Sequence, residues 1–512
     1  MNVNRGSRKA GGAGGGPKGA GAPAAPATQL SRRTALAGGL GITALVAVPE
    51  VLLGSSAYAA QATGGAAAAT AGGASGASGA TAAGVATGPG AAAATTAARH
   101  FFLYGTTGAG APTGVQGWQA PAGLGALDAT PAVVTTNLEA ALVRSPDGST
   151  LALVSKTTAG SASALTLTLV GTGPGAATSS SVLTLPGVSA EASVLATPVF
   201  AGARTVALVL AVSERSDPRD VTKTSPFGGA VTTTGYTWTT SHSVAYLDRA
   251  AGTFTGPFPL FDAPYLALTD LAADSGHLYL WAVRDYTKMA LGKGRANPVL
   301  TTEFFAVPLG SGTPDLARVS AGPWPSGAGA LVLANGDVAR VVAGRTLEVF
   351  APARGALALT RIAPMNQVSS SKPGAVTFEA LPNGTALITN SAFGRATVVD
   401  PAAAYSTVSV IDYARVPHPV RGATASADGT TLYTLGAAGV GGLDAYDIAT
   451  GSLSACYGDS ESYAGVFQLG SGTLLAVKPV TAPSPQTRLS FFTPSLEPVG
   501  SASTSVLVAA VY

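Results

Sequence analysis

Ser426-Ala427-Asp428-Gly429, followed at once by the apolar run Leu432-Tyr433-Thr434-Leu435, is one copy of a unit that returns along the chain. Asp-Gly supplies the positive φ angles that a tight hairpin turn demands, so the pair marks a reversal between two antiparallel strands. The unit reads Ser145-Pro146-Asp147-Gly148 before Leu151-Ala152-Leu153-Val154, and Asn335-Gly336-Asp337 before Val338-Ala339-Arg340-Val341. It recurs as Asp274-Ser275-Gly276 before Leu278-Tyr279-Leu280-Trp281, as Pro382-Asn383-Gly384 before Ala386-Leu387-Ile388, and as Gly470-Ser471-Gly472 before Leu474-Leu475-Ala476-Val477. A degenerate copy without an acidic residue, Ala201-Gly202-Ala203-Arg204 before Val206-Ala207-Leu208-Val209, brings the number to seven.

The glycines of these turns stand at 148, 202, 276, 336, 384, 429 and 472, with gaps of 54, 74, 60, 48, 45 and 43. The last three gaps match the roughly 40–50 residues of a four-stranded propeller blade, and the longer early ones require insertions. From Arg99 onward the texture is short alternating or β-branched apolar runs broken by Gly, Pro, Asn and Asp, an all-β signature. The pattern over residues 100–512 resembles the YVTN and WD-like β-propeller superfamily, in which Ser-x-Asp-Gly turns precede an inner strand of each blade. The resemblance implies an all-β propeller of about seven four-stranded blades over residues 99–512. The second copy lacks the acidic turn residue, and no blade carries a Trp-Asp signature. A pair of β-sandwiches or a β-helix is the alternative; seven copies over this length favour the propeller. Closure would pair a strand near His100-Phe101-Phe102-Leu103-Tyr104 with the chain end Ser505–Tyr512, removing exposed edges.

Upstream, Ser31-Arg32-Arg33-Thr34-Ala35-Leu36 precedes a mildly apolar run that ends at Ala57-Tyr58-Ala59. Ser31, Arg32, Arg33 and Leu36 resemble the twin-arginine (Tat) signal family, whereas Ala35 stands where that family prefers Phe and Ala37 where it often has Lys. The resemblance implies a signal peptide over residues 1–59, cut after Ala59, with export in the folded state. Retention as an anchor is the other reading. Gly38, Gly39, Gly41, Pro49 and Glu50 weaken the run against the roughly 20 apolar residues of a spanning helix. The sole cysteine is Cys456, so no lipobox cysteine lies near the cut. Residues 60–98, almost entirely Ala, Gly, Thr and Ser without charge, read as a disordered linker.

Residues 1–59 hold six basic residues against Glu50 alone, so the remainder carries 23 basic and 25 acidic residues, a net of −2. The formal +3 therefore belongs to the leader, and nucleic acid is excluded as a partner. One cysteine permits no intramolecular disulfide, which a chain of this size does not need. Cys456 reads as a small buried thiol in a strand.

Charge concentrates in two insertions. Residues 213–243 contain Glu214, Arg215, Asp217, Arg219, Asp220 and Lys223, then Tyr236 and Trp238; residues 284–303 contain Arg284, Asp285, Lys288, Lys293 and Arg295. Loops on rigid scaffolds carry function more often than the scaffold does. Arg215, Asp217, Trp238, Arg284, Asp285, Lys293 and Arg295 are accordingly the binding candidates, with His418, held between Pro417 and Pro419, as the histidine to inspect. Solvated hairpin extensions are the plain alternative. The four histidines (100, 242, 277, 418) show no metal-pair spacing, no Gly-x-Ser-x-Gly elbow is present, and Asp447, Asp459 and Glu461 lack calcium-loop spacing. Four tryptophans scattered over different units lack the regularity of quinone-dependent propellers, and no metal or cofactor is expected.

These observations point to a secreted or cell-wall-associated propeller, monomeric and without an integral membrane segment after cleavage. It would act as a noncatalytic binding or scaffold module for a protein or cell-wall ligand. The alternative is a lactonase-like propeller hydrolase with its active site at the channel mouth; no catalytic residue can be named for it.

Overall fold

The computed structural model describes residues 99–107, 112–120 and 128–134, and all of 142–511 except sixteen connecting segments, the longest being 286–299 and 363–375. The expected leader with Arg32, Arg33, Ala57 and Ala59, the linker, Asp217, Lys293, Arg295 and His418 lie outside the described residues, as do the side chains of Trp238 and Asp285. Every described residue belongs to one compact unit, residues 47–512. Among them no helix is long and apolar enough to cross a membrane.

The turns form as their chemistry requires. In the copy at 426–431, Gly429 sits at φ +72° and its N–H donates to Ser426 O at 2.8 Å. The Ser426 hydroxyl donates to Asp428 Oδ1 at 2.5 Å, and the same oxygen accepts from Thr430 N and Oγ1. Ser145, Asp147 and Ser149 repeat this arrangement around Gly148. Serine three residues before the glycine thus relays the turn to the carboxylate. The degenerate turn keeps the conformation without the acid, with Gly202 at φ +69°.

Each turn joins the first and second strands of a four-stranded antiparallel sheet. Blade 1 spans residues 143–189, blade 2 193–259, blade 3 267–320, blade 4 326–362, blade 5 376–412, blade 6 423–457 and blade 7 465–504. An eighth four-stranded sheet stands among the described residues, one more than the turns mark. It is the closing blade, ordered Val506–Val511, Arg99–Thr107, Pro112–Ala120, Asp128–Val134. The expected closure is present, with Leu103 opposite Val511 and Thr107 opposite Val506. It makes a blade of its own because its first two strands come from opposite ends of the chain, where no turn can join them.

Neighbouring blades bury their facing apolar sides, and the seven core clusters each fill one seam. Leu165, Leu167 and Val194 with Leu208 and Leu210 join blades 1 and 2. Val244, Tyr246, Leu280 and Phe305 join 2 and 3. Trp281, Phe304 and Phe350 join 3 and 4. Four further clusters continue the series to the closing blade, where Phe101 and Leu103 pack with Phe491, Val506 and Val508. No core cluster among the described residues joins the closing blade to blade 1. First strands lie beside first strands, and an isolated parallel bridge pairs Arg421 at the entry of blade 6 with Gly465 of blade 7.

Two of the seams also carry buried ion pairs. Arg340 of blade 4 is fully buried; its Nη1 lies 3.1 Å from Asp270 Oδ2 of blade 3 and its Nη2 2.9 Å from Glu348 Oε2. Its guanidinium lies 5.4 Å from the centre of the Trp281 ring. Arg421 pairs with Glu379 of blade 5, both largely buried. Charges taken out of water this way persist only when paired and hydrogen-bonded.

Candidate functional site

Because every sheet is an antiparallel meander, its connections alternate between two faces of the propeller. First-to-second and third-to-fourth connections, including all seven glycine turns, share one face. Second-to-third connections and the links between blades share the other. Both charged insertions are second-to-third connections, in the neighbouring blades 2 and 3. Their strands therefore deliver them to the same face.

In blade 2, Thr205–Arg215 pairs with Trp238–Asp248 along its whole length, and Arg215 stands opposite Trp238 at the last position. Beyond them a separate two-stranded hairpin, Arg219–Thr224 with Ala230–Gly235, carries the insertion outward. In blade 3, His277–Asp285 pairs with Leu300–Pro308, placing Arg284 opposite Thr301 and Asp285 opposite Leu300. Arg215 is exposed at its strand end, and Arg284 is half-buried. The structure thus brings Arg215 level with Trp238 and sets Arg284 and Asp285 at the equivalent end of the adjoining blade.

Beneath this face the seam between the two blades holds a polar and aromatic group. Tyr265 donates its hydroxyl to Glu303 Oε2 at 2.5 Å, and the Arg284 guanidinium lies 5.7 Å from the Tyr265 ring centre. Burial, reinforced by the hydrogen bond and charge of Glu303, raises the Tyr265 phenol above its usual range. Phe261 packs between Tyr265, with ring centres 4.2 Å apart, and His242, at 5.9 Å. His242 is 6% exposed, its Nε2 has no hydrogen-bond partner, and burial pushes it down to about 4. The imidazole is therefore neutral at physiological pH, with one nitrogen unspent.

His242, Tyr265 and Glu303 are absent from the sequence-based candidates. Only their position in or near the insertions hinted at them: Glu303 ends the second charged stretch and His242 lies at the end of the first. Arg284 proves to be tied to the seam as well as to the face. The expectation of a buried Cys456 is overturned. That residue is exposed on Leu453–Tyr457, the outermost strand of blade 6, where alternation turns it to solvent. Asp447, weighed for an acidic cluster, accepts from Thr450 N and Oγ1 and so caps its own turn. Among the described residues no three His, Cys, Asp or Glu side chains converge as metal ligands.

No family model and no curated protein matches the chain. Among solved structures it is similar to the periplasmic gluconolactonase PpgL of Pseudomonas aeruginosa, at 11% identity and TM-score 0.38 over 81% of this chain and 98% of that one. BamB from Moraxella catarrhalis is similar at 11% identity and TM-score 0.35, over 77% and 88%. The dihydro-heme d1 dehydrogenase NirN is similar at 13% identity and TM-score 0.44, over 80% and 74%. Identities and TM-scores this low say nothing of activity, and the propeller assignment stands on the sheets themselves.

Proposed function

We propose that the chain is an exported binding propeller whose insertion-bearing face, over blades 2 and 3, docks a protein or cell-wall ligand at the cell exterior without chemical conversion. One observation carries this reading: two separate concentrations of charge rise from adjacent blades at the same end of the fold. Charged groups on rigid strand ends give orientation and encounter rate to a partner of complementary charge. A hydrolase reading would draw on Glu303, Tyr265 and His242 beneath that face, all of them buried.

The test uses the mature chain and isolated cell-wall fragments of the producing cell, followed by co-sedimentation. The charge reversals Arg215→Glu and Lys293→Glu together should weaken sedimentation about tenfold, as loss of charge complementarity would. Arg284 is left intact because it also packs on Tyr265. Unchanged sedimentation refutes the docking face. Turnover of a lactone panel that is lost in Glu303→Gln would establish the hydrolase instead. The export component is tested by sequencing the N-terminus of protein from the medium or wall, which should begin at Ala60.

A further inference from the structure

The glycine-turn face, opposite the insertions, holds a cleft of about 480 Å³ at the seam of blades 1 and 2. Small-molecule sites run from roughly 300 to 1,000 Å³, so the space suits a ligand of one or two sugar rings. Its lining includes Asp147, Thr150, Ser179, Arg204 and Arg249.

The acceptors there are spent. Asp147 takes hydrogen bonds from Ser145 Oγ at 2.5 Å, Ser149 N at 3.0 Å and Ser149 Oγ at 2.7 Å. Asp248, next to Arg249 in the chain, accepts from the Ala250 and Ala251 amides at 2.8 and 3.2 Å. Both carboxylates hold their own turns, and their remaining charge faces Arg249 from Asp147 and Arg204 from Asp248.

The donors are in surplus. Arg249 gives Nη1 to Ala203 O at 2.8 Å and Nη2 to Thr150 Oγ1 at 3.0 Å, and it lies 5.5 Å from the centre of the Phe200 ring. These contacts fix the plane of the guanidinium while leaving further N–H groups over. Arg204 has a 77% exposed side chain and one loose ion pair, 3.7 Å from Asp248. Ser179, on the Thr178–Ser189 strand of blade 1, has no side-chain hydrogen bond among the described residues.

We infer that this cleft binds an oxyanion, a carboxylate or phosphate group carried on a small ligand, with Arg204 and Arg249 as the cations and Ser179 as a hydroxyl donor. Guanidinium forks match both anions in bidentate geometry. Arg249 is already held in place, so binding loses little of its side-chain freedom, and Arg204 closes from the exposed side. The site is independent of the docking face on the other side of the propeller.

Calorimetric titration of the full chain at low salt, with inorganic phosphate in one arm and glucuronate in the other, tests it. Saturable one-to-one binding of either probe is expected, weakened about tenfold or more in Arg204→Ala, the effect of losing one charge-assisted contact. Arg249→Lys keeps the charge but loses the fork, and should weaken binding similarly. Preference for phosphate assigns a phosphoryl ligand, and preference for glucuronate a carboxylate. Saturable binding of neither probe overturns the site, as does equal binding by the parent and an Arg204→Ala, Ser179→Ala double variant.

Discussion

Replacing Arg340 by methionine tests the seam between blades 3 and 4. The guanidinium is fully buried, with Glu348 at 2.9 Å and Asp270 at 3.1 Å, and both carboxylates are almost wholly out of water. Methionine fills much of the same volume, so the cavity contribution is small. The change takes the guanidinium away from two buried carboxylates at once. Removing one partner of a buried pair costs about 3–5 kcal/mol, and here two anions lose the same cation, which places Arg340→Met at the upper end. Against a total of about 5–15 kcal/mol, that is a third of the stability or more. Urea unfolding at pH 7, followed by tryptophan fluorescence, reads it as a lower midpoint at unchanged slope. The triple change Arg340→Met, Asp270→Leu, Glu348→Met removes the charges together and should recover to within about 2 kcal/mol of the parent. A loss below about 1 kcal/mol in the single variant, or a triple variant no better than the single, would refute the reasoning.

Acid should destabilise the fold through His242. Its folded value of about 4 lies below the ordinary 6.5, so the unfolded chain binds more protons between those values. Stability is then lost as pH falls through that window, by about 3 kcal/mol at most. His242→Phe should flatten the dependence, and an equal fall in its urea midpoint between pH 7 and 4.5 would count against the assignment. Gly394→Ala places a Cβ 2.1 Å from Tyr413 O at φ +65° and should cost about 1–3 kcal/mol in thermal melts; an unshifted melt would contradict that geometry. Deleting residues 506–512 takes away the strand that covers Phe101 and Leu103 and pairs with Arg99–Thr107. The truncated chain should lose its single sharp transition and associate in size-exclusion chromatography, and a monomer with the parent's melt would disprove the closing role.

Much of the architecture was legible because each turn is a local event. Ser145, Asp147 and Gly148, or Ser426, Asp428 and Gly429, satisfy one another within six residues, so each copy announces itself. The closing blade could not, since Val506 and Thr107 meet only in three dimensions. The charged insertions stood out by composition, and strand parity alone sets them on one face. The groups beneath them stayed hidden: Glu303, Tyr265 and His242 come from separate strands and a connection, and no spacing foretells their meeting. Nothing in the sequence marks Arg340 with Asp270, or Arg421 with Glu379, as pairs, for the same reason. The Arg204 and Arg249 cleft joins two blades through a turn that appeared only as a degenerate copy.

The split origin of the closing blade sets a timetable for synthesis. Its three N-terminal strands leave the ribosome first, yet their innermost partner comes last, after the 371 residues between Val134 and Val506. At about 5–20 residues per second, the Arg99–Thr107 edge waits roughly 20–80 s for Val506–Val511. During that interval an unpaired strand bearing Phe101 and Leu103 is open to any neighbouring edge. The ribosome-bound chain is therefore at its most vulnerable at its oldest folded segment, and a chaperone that shields a nascent strand would matter most there.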